Sequence, residues 1–351
     1  MEMRKKFDEI FEDCTKLGTK IKTDGYHSNG KHPIIDQGQE MVAGFTDLED
    51  GLLDAVPAIV FGDHTRIIKY VDCPFFLGAD GVKVLRSKVP NANYRYLYYA
   101  LKNAKIPNTG YNRHYKWLKE LEIEYPPIDQ QVKTVKVLDK VESIIYNRQN
   151  QLQKLDELVK ARFVEMFGGI HDSSLYPYVP VKELTHVISG GTPSRDVLEY
   201  WRDGTIPWVK TTELQNKIIT EVDEHITSKG LAASSAKIVP PNTTLIAMYG
   251  QGKTRGMTGY LGISASTNQA CACILPSPEI NSVYIWKYFE LSYDKLRNMA
   301  KGGNQPNLNG NMIKNFPVLV PPIKRQEEYV QFVNQVDKSK AVEGLYSSLC
   351  L

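Results

Sequence analysis

Pro126-Pro127-Ile128-Asp129-Gln130-Gln131-Val132 opens a run that continues to Phe167 with no internal Gly or Pro. Apolar residues recur along it at Ile128, Val132, Val135, Leu138, Val141 and Ile145, then at Leu152, Leu155, Val159 and Phe163. The gaps are threes and fours, interrupted only by the polar patch Tyr146–Gln151. That alternation draws one apolar stripe down a helix and suits the seam of a coiled coil. Pro127 stands where a first-turn proline is tolerated, and Gly168-Gly169 is a stop signal, so the spacing predicts a helix filling 126–168. At about 1.5 Å per residue, about 40 residues make a rod of roughly 60 Å. Such a rod needs a partner helix or stands between two domains.

The opening of this run has a counterpart. Pro321-Pro322-Ile323-Lys324-Arg325-Gln326-Glu327 follows it 195 residues later. Upstream, Ala58-Ile59-Val60-Phe61-Gly62-Asp63-His64-Thr65-Arg66 recurs loosely in Leu245–Arg255, with Gly62 and Gly250 set 188 residues apart. Leu97–Leu101 likewise matches Lys287–Leu291. Landmarks in one order at a nearly constant offset mark a tandem duplication, with a period far longer than that of solenoid repeats. The expected organisation is a globular unit over 1–125, a helix over 126–168, a second unit over 169–320 and a shorter helix over 321–351.

The length suits two domains of ordinary size, and 42% apolar with 24% charged residues is a globular composition. Lys+Arg total 43 against 40 Asp+Glu, so net charge alone does not announce a nucleic-acid partner. The five cysteines show no pairing pattern, which suggests reduced thiols and a cytoplasmic setting. The opening Met1–Phe7 lacks the apolar core of a signal peptide, and no window approaches the roughly 20 apolar residues of a membrane span.

Within 1–125, Val56–Phe61, Gly81–Leu85 and Leu121–Tyr125 read as strands and Asn93–Lys102 as an amphipathic helix. Lys20–His32 is a polar loop punctuated by glycine. In the second unit Ile206–Thr211, Thr244–Met248, Ala270–Leu275 and Phe316–Val320 read as strands, and Val283–Met299 as a helix. Each unit is mixed α/β. The final helix begins at Ile323 with Val330, Val333 and Val336 on one face, then weakens toward Gly344.

These features together resemble the specificity subunit of type I restriction–modification systems. The resemblance rests on the duplicated unit closed by Pro-Pro-Ile-x-x-Gln, and on Gly190-Gly191-Thr192-Pro193-Ser194, Ile206-Pro207-Trp208, Tyr249–Arg255, Asn268-Gln269 and Gly302-Gly303-Asn304-Gln305 in that order. Leu155–Phe167 is similar to that family's central helix. The first unit departs from the pattern, with Lys20–Lys31 where the Gly-Gly-Thr-Pro-Ser turn would stand. The resemblance implies an α+β fold: two α/β target-recognition domains in tandem repeat, joined by long helices forming an antiparallel coiled coil. It implies that each domain reads one part of a split sequence in double-stranded DNA, and that the helices are spacer and docking site. It further implies separate modification methyltransferase and restriction/translocase subunits, which would use S-adenosylmethionine, ATP and Mg²⁺; this chain would hold no cofactor.

A phosphate-binding P-loop needs Gly five positions before Gly-Lys-Thr, and Ala247 stands there before Gly252-Lys253-Thr254. The segment reads better as a loop at a strand end presenting Lys253, Thr254 and Arg255 to DNA, with Arg66 its first-unit counterpart. Phosphate contacts position a protein, whereas Arg or Lys forked onto guanine reads sequence. The bland alternative is a solvated turn. Gly190 and Gly191, with Thr192, are either a helix stop before Pro193 or bare backbone that admits a phosphate. Lys210 and Thr211 either donate to a phosphate or cap a strand. Lys31 adds a cation in the first unit's polar loop. Asn304 suits adenine, though amides are equally common in plain turns.

Cys271 and Cys273 alternate onto one face of a strand and lack metal-ligand company, so core thiols are the default. Tyr125-Pro126-Pro127-Ile128 and its copy have the prolines of an amino-methyltransferase segment but neither its leading polar residue nor its trailing aromatic. No nuclease-type carboxylate cluster is evident. The favoured reading is a non-catalytic DNA-recognition subunit. The rivals are a DNA methyltransferase or nucleotide-hydrolysing enzyme using Gly252-Lys253-Thr254, and a structural scaffold.

Overall fold

The computed structural model describes residues 4–78, 80–110, 112–250, 252–300 and 307–348, the side chains of 341–348 excepted. Asn304 and the segment Gly302–Gln305 lie outside the described residues. The chain divides into two compact units, Met1–Asn147 and Arg148–Leu351. The division falls inside the central helix rather than at its ends, so the helix is shared between the units.

The first unit runs β1 (Arg4–Lys6), α1 (Phe7–Ile10), β2 (Phe11–Asp13), β3 (His32–Ile35), β4 (Gly44–Thr46), β5 (Ala58–Gly62), β6 (Ile68–Val71), β7 (Phe76–Leu77), β8 (Val82–Ser87), α2 (Tyr94–Lys102), α3 (Tyr115–Lys119) and β9 (Glu122–Glu124), then enters α4 (Ile128–Phe167). Its strands form a β1-β9 pair, a four-stranded sheet β2-β8-β5-β6 and a three-stranded sheet β4-β3-β7. Within the small sheet β3 and β7 run parallel.

The second unit follows with β10 (Tyr178–Pro180), α5 (Val181–Leu184), β11 (Val187–Ser189), β12 (Ile206–Val209), β13 (Lys217–Ile219), β14 (Glu224–Ile226), α6 (Ser228–Ala232), β15 (Thr244–Ala247), β16 (Thr258–Leu261), β17 (Ser266–Thr267), β18 (Cys271–Ile274), α7 (Ser282–Leu291), α8 (Tyr293–Met299), α9 (Gly310–Lys314), β19 (Pro317–Leu319) and α10 (Ile323–Ser348). Its sheets are β10-β19, β11-β18-β15-β16-β13 and β14-β12-β17. Apart from the added edge strand β13, this is the plan of the first unit, strand for strand, with β12 and β17 parallel as β3 and β7 are. The duplication inferred from short motifs is therefore a duplication of topology.

The repeated Pro-Pro-Ile-x-x-Gln segment is a joint. Gln131 and Gln326 are each only 1% exposed. The Gln131 Nε2 donates back to the Pro126 carbonyl at 2.8 Å, and Gln326 Nε2 donates to Pro321 at the same distance. The Pro127 and Pro322 carbonyls meanwhile accept the first helical bonds, from Gln131 and Gln326 N–H. Each proline pair thus sets the entry of its helix, and each glutamine satisfies a carbonyl that the helix leaves over. The helices packed beside these joints begin on asparagine caps: Asn93 accepts from Tyr96 N–H, and Asn281 from Val283 and Tyr284 N–H.

The apolar stripe of α4 contributes to both cores. Val135 and Leu138 pack on the first unit's core around Phe7, Phe11, Phe61 and Leu97. Val159, Phe163, Met166 and Phe167 are buried in the second unit's core with Tyr284, Tyr288 and Tyr329. Ile128, Val132, Val141 and Ile145 are exposed. The three-four spacing is real, and each globular core takes up part of it. Within the second unit α4 and α10 do pack antiparallel. Lys340 pairs with Asp156 at 2.6 Å, Arg162 stacks on Phe332, and Phe163 meets Tyr329 edge-on.

Two expectations change. The single helix expected over Val283–Met299 is broken at Ser292, whose hydroxyl and amide bond back to the Tyr288 carbonyl, giving α7 and α8. The final helix persists to Ser348 rather than fading at Gly344.

Candidate nucleic-acid interface

In the second unit, register brings several strand ends to one place. Ala247 at the end of β15 lies opposite Cys271 at the start of β18, and Ser189 at the end of β11 lies opposite Ala272. Val209 ends β12 beside Thr267 of β17, and its carbonyl takes the Asn268 amide at 3.0 Å. The loops after β11, β12, β15 and β17 therefore emerge together. They carry Gly190–Thr192, Lys210–Thr211, Lys253–Arg255 and Asn268–Gln269.

The loop between β15 and β16 has exposed residues at Gly250, Gly252 and Lys253. Gly250, Gly252 and Gly256 have φ of 148°, 58° and 87°, a region that side-chain-bearing residues rarely enter. The loop is buttressed from below by α8. Arg297 Nη1 donates to the carbonyls of Gly252 and Arg255 at 2.9 and 3.1 Å, and Tyr293 Oη donates to that of Lys253 at 2.7 Å. With those carbonyls turned inward, Lys253 stands exposed at the tip, while Thr254 and Arg255 are half-buried.

Gly190 and Gly191 are placed differently from either reading. They follow a strand, β11, so they stop no helix. Both are buried, and their amides donate to the Cys271 and Thr267 carbonyls at 3.4 and 2.9 Å. A Cβ on Gly190 would collide with the Thr267 carbonyl, and one on Gly191 with the Ser235–Ala236 backbone. The bare backbone admits the protein's own chain, not a phosphate. Thr192 next to them is half-buried, its hydroxyl on Gln269.

Lys210 also has protein partners. Its Nζ lies 3.0 Å from Glu224 and 3.3 Å from Asp223, and these hold its ammonium above the ordinary lysine value. Its amide bonds Glu213 at 2.6 Å, so Lys210 and Thr211 open a capped turn, Thr211–Glu213, at the strand end. Glu224 is shared with Arg195. Burial pushes the Glu224 carboxyl up, but Arg195 and Lys210 outweigh it and hold it below the usual range.

The first unit has the same convergence with other chemistry. The Gln37 carbonyl accepts from the Thr65 hydroxyl at 2.7 Å, its Oε1 accepts from His64 N–H at 3.2 Å, and its Nε2 donates to the Asp80 carbonyl at 3.0 Å. One side chain so binds the loops after β3, β5 and β7. Arg66 sits in the β5–β6 turn with φ 62° and donates to the Ile106 carbonyl at 3.1 Å. Lys31 is not with it. It precedes β3, at the opposite end from Gln37, and pairs with Glu49 at 2.7 Å. The position after β2, equivalent to Gly190–Thr192, is Cys14 and the short turn Thr15–Leu17, not the Lys20–Lys31 loop. Cys271 and Cys273 are buried in the second unit, and burial pushes the Cys273 thiol up to about 11. Sequence reasoning missed Gln37, Arg195, Glu224, Tyr293 and Arg297, since each acts through a partner remote in the chain.

A family model described as "Type I restriction modification DNA specificity domain" matches residues 3–157 and again 175–345. The chain belongs to that family and holds two copies of its domain. It is 22% identical to the EcoR124I/EcoR124II type I restriction enzyme specificity subunit of Escherichia coli, over 95% of this chain and 86% of that one. It is 27% identical to the MjaIX specificity subunit of Methanocaldococcus jannaschii, over 45% of this chain and 37% of the relative. The crystal structure of a type I restriction–modification S subunit from M. genitalium shares the fold, with a TM-score of 0.59 at 17% identity, covering 99% of this chain and 92% of that one.

Proposed function

We propose that the chain reads a split, asymmetric target in double-stranded DNA, one part with each unit, through the loops gathered at the sheet ends. The observation that carries this reading is the repeated topology with unlike loops. Both units converge the same strand ends, but one is knit by Gln37 and the other by an Arg297-buttressed glycine loop. Unlike loops on equal frames imply unlike half-targets. Lys253, at an exposed tip, is the candidate for phosphate contact, and Thr192 and Arg255 flank it as candidates for closer readout.

In this reading the chain does no chemistry of its own. Methyl transfer from S-adenosylmethionine, and ATP- and Mg²⁺-dependent restriction and translocation, belong to separate methyltransferase and restriction/translocase subunits working in the cytoplasm. Docking of such subunits is supported by the apolar side chains that α4 exposes, Val137, Val141, Ile144 and Ile145. Among the described residues no helix is long and apolar enough to cross a membrane.

Methylation mapping of DNA from cells carrying the chain with its modification subunits tests the reading. A two-part motif with unlike halves is expected; a continuous or palindromic motif overturns it. The purified chain, supplied with labelled S-adenosylmethionine and DNA, is expected to transfer no methyl group.

A further inference from the structure

At the end of β12 lies a charge cluster that takes no part in the contacts proposed so far. The Arg195 guanidinium sits 3.7 Å over the Trp201 ring and 4.8 Å from that of Trp208, and pairs with Glu224. Glu224 also meets Lys210 at 3.0 Å, and Lys210 meets Asp223 at 3.3 Å. The arrangement is built rather than incidental. Trp208 Nε1 donates to the Gly191 carbonyl and Trp201 Nε1 to that of Ser194, both at 2.9 Å, which pins the loop that carries Arg195. Stacking fixes the guanidinium plane against which Glu224 closes.

Glu224 begins β14, directly opposite Trp208 and thus at the loop-bearing end of the small sheet. The Glu224 side chain is 30% exposed, with Arg195 at 51% and Lys210 at 28%, so a duplex laid on this end comes within reach of all three charges. A cation adds to sequence-independent DNA binding by neutralising a phosphate and releasing a counterion. A cation already facing a carboxylate must exchange one anion for another and adds much less. A sequence reader also has a reason to limit such attraction, because the genome offers a vast excess of wrong sites.

We propose that Glu224 is a specificity-determining residue of the second unit: it holds Arg195 and Lys210 in ion pairs and so restrains their attraction for phosphate on DNA of any sequence. This rests on the reading of these strand ends as the DNA-facing surface. The carboxylate acts as a competitor that non-target DNA does not displace, leaving Lys253 as the principal cation for sequence-independent contact at this end.

The test is binding of the full chain to a random-sequence duplex over a series of salt concentrations. Glu224→Gln keeps the size but removes the charge, and leaves one acceptor oxygen where two now face cations. It is expected to bind more tightly at low salt, with a slope of log K against log salt steeper by about one to two units. Lys210→Met added to Glu224→Gln is expected to take back part of that steepening. Glu165→Gln, which removes an equal charge from an exposed pair on α4, controls for net charge and is expected to leave the slope alone. An unchanged or shallower slope for folded Glu224→Gln overturns the proposal, as does equal steepening in Glu165→Gln. If Glu224→Gln fails to fold, Glu224→Asp keeps the charge but is too short to span both cations. A steeper slope is then expected, and an unchanged one overturns the idea. Lys253→Ala, measured alongside, separates the two layers. A slope shallower by about one unit keeps these strand ends as the DNA face even if Glu224 proves idle, whereas no change removes that reading itself.

Discussion

Gln131 and Gln326 occupy matching positions yet do not do equal work. Both donate to a proline carbonyl, and the Gln326 Oε1 also accepts from a partner, the Asn281 amide at 2.9 Å. Among the described residues the buried Gln131 Oε1 has none. Gln326→Ala would strand a buried carbonyl and the amide of a helix cap, at about 1–3 kcal/mol for each buried group left unpaired. Gln131→Ala strands one carbonyl and removes an oxygen that was already unsatisfied. The Gln326 variant should therefore lose more stability, read from urea midpoints. His171 gives a pH signature. Burial beside Tyr288 and Phe316, aided by Lys295, pushes its imidazole down to about 4. Between that value and the ordinary 6.5 the unfolded chain binds the extra proton, so stability rises with pH there. The contribution is complete above pH 6.5 and is lost as pH falls toward 4. His171→Phe should flatten that part of the stability–pH curve, and a wild-type slope in the variant would refute the assignment. The glutamines were legible because they sit in a repeated heptapeptide. The Arg195–Glu224 pair was not, since nothing in spacing announces two charges that meet only when a sheet closes.

At the scale of elements, the loop from Met248 to Met257 shows how a short helix can serve a distant surface. Its sequence announced a strand-end turn with basic residues, and that is where the structure places it. What the residues could not announce is α8 beneath it, where Arg297 and Tyr293 take up three of its carbonyls. Arg297→Ala should loosen the loop and weaken DNA binding several-fold. Because Arg297 is spent on carbonyls rather than phosphates, the salt slope should stay as it was. A slope reduced by about one unit would instead make Arg297 a phosphate contact. The central helix teaches the converse. Its three-four spacing was plain in the sequence, but periodicity gives a face and not an owner, and Val135 and Phe163 turned out to serve different cores. The two glycines after β11 follow the same logic. Their demand for close backbone approach was legible, whereas the approaching partners, the Thr267 carbonyl for Gly190 and the Ser235–Ala236 backbone for Gly191, come from 77 and 44 residues away and were not.

Across the whole molecule, the duplication was the most legible fact, because three motifs held their order at nearly one offset. Many of the shortest strands, such as β7 and β17, were not, since two or three residues carry too few side chains to show a period of two. The polar patch Tyr146–Gln151 straddles the boundary at Asn147 and Arg148, and its side chains enter neither core. Inserting four residues there lengthens a helix by about 6 Å, close to two base pairs of B-DNA, and nearly preserves its facing. If α4 sets the distance between half-targets, the gap in the methylated motif should grow by about one or two base pairs with both halves unchanged. An active variant with its gap unaltered would take that role from the helix. The matched latches at Pro126 and Pro321 carry a separate implication, for heredity rather than mechanics. Each unit is closed by the same two-strand pair and the same glutamine bond. A gene exchanged at these seams would join parts whose couplings already agree, so new combinations of heads could arise by recombination without any joint having to evolve again.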